Sequence, residues 1–205
     1  MLGCRVTLFV TGTHTGIGKT LVAAALTHQT GLRAVKPLAT GFAGMAGSDA
    51  EILCAAMGIA PTPEISPFRF QAPLSPDMAA AREGRRIALA PLVQACAGDV
   101  IVEGIGGVMT PLNERETVLD WIATLGCPVI LVAGSYLGTL SHTLTAVEAM
   151  RARGVAPRAV IVSESLEAPP LDETAATLRR FVGPVVALPR IAGPRPWERA
   201  PRIPI

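Results

Sequence analysis

Charge is scarce in this sequence. Asp, Glu, Lys and Arg make up 17% of the 205 residues, and the formal net charge is only +2. The basic residues are scattered and form no run, which argues against a nucleic-acid surface, and no terminal basic amphipathic helix offers itself to a membrane. Cysteine is sparse too. Four of them, at 4, 54, 96 and 127, are widely spaced without a C-x-x-C pair. Neither a zinc site nor a disulfide framework is expected from that spacing, and reduced thiols in a cytoplasmic protein are. No basic segment followed by a long apolar core opens the chain, so no signal peptide is predicted. The most apolar stretch, 127–134, falls far short of the ~20 residues that cross a bilayer. Heptads, internal repeats and a G-x-S-x-G elbow are missing as well, and His14, His28 and His142 are too dispersed to suggest a metal site. What remains is one soluble domain spanning 1–205.

Half of the residues are apolar, and short apolar runs alternate with helical patterns. That alternation predicts an α/β fold with a mostly parallel central sheet flanked by helices. Strands are expected at 5–11, 32–36, 99–103, 128–133, 158–163 and 185–188. Helices are expected at 18–30, 48–57, 75–83, 139–153 and 172–181. Ser48 and Glu51 have the spacing of a capping box, and Ser75-Pro76-Asp77 reads as a helix start. The Pro-rich segment 59–74 and the tail 189–205, with five prolines, are expected to be irregular.

The strongest chemical signal is the loop G-T-H-T-G-I-G-K-T at 12–20, between a predicted strand and helix. Phosphate oxygens need many donors at close range, and glycines let backbone N–H groups approach at a helix N-terminus. Lys19 then reaches the β- and γ-phosphates, and the Thr20 hydroxyl suits a Mg²⁺ ion. Five residues separate Gly12 from Gly18, one more than the strict P-loop pattern has. The fold expected is therefore P-loop NTPase-like. Glu103 closes an apolar strand, as a metal-binding carboxylate of such a site does. Asp49 sits in the first turn of its helix, where an acid that only complements the dipole is also common. Lys36 lies at a strand's C-terminal end, the side that faces the ligand crevice of a parallel sheet.

Together these residues resemble the dethiobiotin synthase family. The resemblance rests on T-G-T-H-T-G-I-G-K-T (11–20), K-P-L-A-T-G (36–41), S-D-A (48–50), V-E-G-I-G-G-V-M-T-P-L (102–112) and P-V-I-L-V-A-G-S-Y-L-G-T-L-S-H-T-L (128–144). It implies an ATP- and Mg²⁺-dependent enzyme of biotin biosynthesis that closes a cyclic urea on 7,8-diaminopelargonic acid with CO₂. Lys36 and Lys19 then stand at catalytic positions, and Thr20, Asp49 and Glu103 at the metal. ATP is implied to touch Gly16, Ile17, Gly18, Lys19, Thr20, Leu21, Asp49, Glu103, Gly104, Ile105 and Gly106. Thr15, Lys36 and Thr40 fall on the substrate side. Leu137, Gly138, Thr139 and Ser141 fall on the stretch that binds the substrate carboxylate, donated by the second subunit of a homodimer. A helix starting near Thr139 would offer free N–H groups to that carboxylate.

Two departures stand out. Ser163-Glu164 replaces the family's Asn-Asp, which reads the adenine, and Pro189, Arg190 and Ile191 match the base-contacting stretch poorly. Weaker discrimination among nucleotides is therefore expected. Two other readings remain open. A partition- or division-type ATPase switch shares this kind of loop but has a lysine where His14 stands. The synthetase domain of a cofactor amidotransferase would normally carry a glutaminase domain, for which 205 residues leave no room.

Overall fold

Valine, isoleucine and leucine fill runs of three or four residues, at 100–102, 129–132 and 160–162, with no polar alternation, and such runs need cover on both faces. The computed structural model describes residues 7–205; Cys4 and the first two residues expected in the opening strand lie outside them. Strands β1 (Leu8–Gly12), β2 (Arg33–Val35), β5 (Val100–Glu103), β6 (Val129–Gly134), β7 (Pro157–Ser163) and β8 (Val185–Leu188) form one sheet in the order β2-β5-β1-β6-β7-β8. All of its pairings are parallel. After β1 the chain runs to the edge strand β2, returns to β5 between the two, and then crosses to β6, β7 and β8 on the other side of β1. The C-terminal ends of β1 and β5 therefore lie at the switch point where an open sheet makes its crevice.

Side chains alternate across each strand. Along β1, Leu8 and Val10 point into a core with α1 (Lys19–Thr30) and α2 (Asp49–Met57), while Phe9 points into the core of the opposite face. Ala23, Ala24 and Ala25 of α1 are fully buried, small enough to let the helix lie close on the sheet. On the other face Phe9 meets Trp121 edge-on at 4.9 Å between ring centres, a favoured aromatic geometry. That face is covered by α3 (Pro76–Arg82), α4 (Leu89–Gln94), α5 (Val118–Leu125), α6 (Thr139–Ala152) and α7 (Leu171–Leu178).

Several expectations need correction. The segment 59–74 is not wholly irregular: β4 (Phe68–Arg69) pairs in parallel with β3 (Leu38–Ala39) as a small second sheet. Helices α4 and α5 were not expected at all. Pro91 inside α4 masks its pattern, and α5 starts on Thr117 and Asp120, a threonine–aspartate version of the capping box. At α2, Ser48 accepts the Glu51 N–H, but the Glu51 carboxylate takes the Gly47 N–H rather than that of Ser48. The Ser48 N–H is already donated to Met45 O, so the reciprocal half of the box moves back one residue. Ser75 donates to Asp77 instead of capping α3. The tail has little regular structure, yet Trp197 and Ile203 bury against the α1 face. Gln29 holds it by donating to Ala200 O and Pro201 O and accepting from Ile203 N–H.

The α5 cap gives a pH-dependent prediction. Partial burial pushes the Asp120 carboxyl up, but the Thr117 hydrogen bonds and the Arg153 ion pair hold it below its ordinary 3.8. A carboxylate held low stabilises the fold above its unfolded pKa, and that stability is lost as pH falls through the folded value. Asp120→Ala is expected to cost about 1 kcal/mol at pH 7. The difference in urea midpoint from the parent should narrow as pH drops below 4; a constant gap would place the effect elsewhere.

Candidate functional site

The turn after β1 must bend sharply and keep its backbone exposed. Gly18 manages both: its φ is +94°, and a Cβ there would lie 2.8 Å from the Ser163 hydroxyl. α1 begins immediately after it, so Lys19 and Thr20 open a helix whose first N–H groups face the loop. Lys19 is buried, and its ammonium donates to His14 O at 2.8 Å across the loop. Burial, then the neighbouring Lys36 charge, lowers its pKa to about 8, with Glu103 and Asp49 opposing.

Lys36 sits just past β2, where Pro37 ends the strand and the Lys36 carbonyl accepts the buried Ser66 hydroxyl. Its ammonium lies 2.5 Å from Asp49 and 2.7 Å from Glu103. Burial pulls the Lys36 pKa down, but the two carboxylates outweigh it and the group stays above its ordinary value. Glu103 is 1% exposed and also accepts the Thr20 hydroxyl at 2.7 Å. Its carboxyl is pushed up by burial and by the like charge of Asp49, against Lys36 and Thr20. Asp49, more open to solvent, is raised by burial but held low overall by Lys36 and Thr20.

These groups converge on a cleft of about 900 Å³ between the phosphate loop and the β3–β4 sheet. Among the residues expected at the site, Thr15, Gly16, Gly18, Lys19, Thr20, Lys36, Thr40, Asp49, Glu103, Ile105 and Gly106 all line it. Ile17 and Leu21 turn their side chains into the core, so only their backbones can serve a ligand. Gly104 packs against the Phe9 ring. Sequence reasoning missed Gly41, Phe42, Pro73, Ser75 and Thr110, which also line the cleft. Most come from the small second sheet and the segment behind it, for which the sequence carries no periodic signal.

Thr20, Asp49 and Glu103 present hard oxygen donors of the kind Mg²⁺ prefers. The second carboxylate oxygen of Glu103 is buried without a hydrogen-bond partner, leaving lone pairs for a cation. Among the described residues no three His, Cys, Asp or Glu side chains converge. Two carboxylates and a hydroxyl therefore suit a cation whose remaining ligands come from phosphate and water.

The other expected residues lie away from this cleft. Ser163 abuts Gly18, and Glu164 accepts the Arg190 N–H at 2.8 Å. Pro189 and Arg190 are exposed, and Ile191 is half-buried against the α1 core. None of the residues 137–141 lines the cleft; Leu137 is 89% exposed at the start of α6. Thr139 is a correction. Its side chain is buried and donates to Gly134 O, and its N–H donates to Tyr136 O, so it has neither group to offer a carboxylate.

A parallel sheet with a glycine-rich turn, a buried lysine and a hydroxyl at the head of α1, and a carboxylate closing the neighbouring strand defines a P-loop nucleotide-binding protein. A family model described as an AAA domain matches residues 6–197. The ATP-dependent dethiobiotin synthetase BioD of Acidiphilium cryptum is 49% identical over 195 residues, 85% of this chain and 87% of that protein. The proteins of the same name from Methylobacterium nodulans and Caulobacter sp. strain K31 are 46% and 48% identical, over 83% and 89% of this chain and 86% and 87% of theirs. The chain belongs to the ATP-dependent dethiobiotin synthetase family. Solved structures extend the likeness in fold only. Chloroplast FtsY from Physcomitrella patens has a TM-score of 0.54 at 17% identity, covering 96% of this chain and 62% of that one. A ParA family ATPase from Chlorobium tepidum has 0.53 at 12%, covering 91% and 84%.

Proposed function

We propose that this chain, acting as one synthetase domain, converts 7,8-diaminopelargonate, CO₂ and ATP to dethiobiotin, ADP and phosphate. The convergence of Lys19, Lys36, Thr20, Asp49 and Glu103 on one cleft carries the reading. One substrate amine attacks CO₂ and loses a proton, giving a carbamate. A carbamate oxygen attacks the γ-phosphorus and ADP leaves. The second amine then attacks the carbonyl carbon of the carbamic–phosphoric anhydride, losing a proton as phosphate departs and the cyclic urea closes.

The difficult approach is anion to anion. Two like charges ~4 Å apart repel by about 4 kcal/mol at an effective dielectric near 20. Lys19 offsets this from the phosphate side, and Lys36 is the cation best placed to lie between carbamate and γ-phosphate. Thr20, Asp49 and Glu103 would hold Mg²⁺, which would supply further charge neutralisation at the phosphates. Thr15 and Thr40 are assigned to positioning the amines, which is the remaining catalytic task.

We assign residues 137–141 to the partner subunit's cleft in a homodimer, with Leu140 and Ser141 backbone N–H groups meeting the substrate carboxylate. The exposure of Leu137 supports that assignment, as does the fact that none of these residues lines its own subunit's cleft. The cytoplasm is the proposed location. The three described cysteines are free, and no helix among the described residues is long and apolar enough to cross a membrane.

Phosphate release should require the diamine, bicarbonate and Mg²⁺ together, and EDTA should abolish it. Equal release without diamine would overturn the proposal. Base selectivity gives a second expectation. Glu164 is engaged with Arg190 N–H, so ATP, CTP and GTP should support rates within roughly tenfold at saturating diamine, against the 10⁴ or more that a dedicated hydrogen-bonding site achieves. A strong preference for ATP in that comparison would contradict it.

A further inference from the structure

The two carboxylates assigned to the metal are already served by a cation. The Lys36 ammonium lies 2.5 Å from Asp49 and 2.7 Å from Glu103, and it shares that Glu103 oxygen with the Thr20 hydroxyl. A divalent cation bridging both carboxylates competes with that ammonium for the space between them and for Asp49 Oδ2; on Glu103 only the buried Oε2 is left without a partner. Nor do the local charges favour adding one. Lys19 and Lys36 together balance Asp49 and Glu103, so a bare divalent cation would bring an uncompensated double charge into a largely buried cluster. A nucleotide reverses the balance, because its phosphates give both lysines new partners.

We infer that Lys36 is a resident counter-ion for Asp49 and Glu103 that exchanges places with the divalent cation, leaving the carboxylates for the cleft as the metal arrives. The exchange rests on the proposed reading for its purpose, since the released ammonium is then free to meet the carbamate. Lys36 has the means to move: its four-carbon stem carries a mobile point charge, and the side chain lines the cleft directly. Asp49 contributes the accessible half of the pair, with its side chain 44% exposed, whereas Glu103 is sealed beneath it. The cation's route in therefore runs past Asp49. One consequence is ordering: metal alone binds weakly because it must displace Lys36, and metal with nucleotide binds tightly because Lys36 gains a phosphate partner.

The test reads metal binding and lysine exposure, not turnover. Mn²⁺ titrated into nucleotide-free protein and followed by electron paramagnetic resonance should bind Lys36→Met at least tenfold more tightly than the parent. Equal or weaker binding by the variant would overturn the exchange. Because removing a buried cation can impair folding, a second measurement uses the unaltered protein. Amine acetylation of Lys36, quantified by mass spectrometry, should rise several-fold when Mg²⁺ alone is raised to saturation. Labelling unmoved by Mg²⁺ would also overturn it. Neither readout involves the diamine, so a protein that exchanges Lys36 yet makes no cyclic urea would refute the proposed reaction and leave the exchange standing.

Discussion

Lys36→Ala is expected to lower kcat by roughly two to three orders of magnitude, the usual cost of losing one preorganised charge at a transition state. The affinity for ATP should change far less, because the phosphates keep Lys19, the loop N–H groups and the head of α1. The pattern to look for is a large fall in kcat with KM for ATP within a few-fold, the signature of an interaction made chiefly in the transition state. Stability must be measured alongside. Without Lys36 the buried Glu103 carboxylate keeps only the Thr20 hydroxyl. Wild-type kcat in this variant would remove Lys36 from the chemistry, whatever its effect on folding.

The second large effect is expected at Glu103. Its carboxylate ends β5, 1% exposed, and joins Lys36 to Thr20. Glu103→Gln keeps the shape but removes the charge, leaving the buried Lys36 with Asp49 alone. Breaking one side of such a buried pair costs about 3–5 kcal/mol, so a fall of that order in unfolding free energy is expected together with loss of Mg²⁺-dependent activity. The double variant Lys36→Met with Glu103→Gln should be less destabilised than the two single effects added together. Strict additivity would mean that the two side chains are not energetically coupled.

Much of the site could be read in the sequence because its pieces sit on elements with strong local signals. The phosphate loop lies between a β-branched strand and an alanine-rich helix closed by Gly31. Glu103 closes a four-residue apolar strand, and Asp49 follows a serine cap. Periodicity and caps locate such elements, and a parallel sheet brings their ends together. The roof of the cleft was not legible. β3 and β4 are two residues each, and they pair across a proline-rich stretch with no alternation to detect. Helix α4 was hidden by an internal proline.

Two finer points could not have been foreseen from spacing alone. Thr139 was expected to serve a ligand, but its hydroxyl caps the end of β6 through Gly134 O, a contact that exists only once the turn after β6 has formed. Lys36 was expected to face the ligand crevice, and the structure adds that its ammonium meets the Asp49 and Glu103 carboxylates there. That pairing spans 67 residues of chain between Lys36 and Glu103, so it depends on β2 lying beside β5 in the sheet. Sequence patterns locate charges on elements. Sheet order decides which charges meet.

Product formation is the direct test of the reaction. Purified protein should be incubated with ATP, Mg²⁺, [¹³C]bicarbonate and 7,8-diaminopelargonate, and the small molecules analysed by mass spectrometry. Dethiobiotin carrying a single ¹³C, in step with phosphate release, is the predicted result. Phosphate release with no labelled cyclic urea, or release indifferent to the diamine, would contradict it.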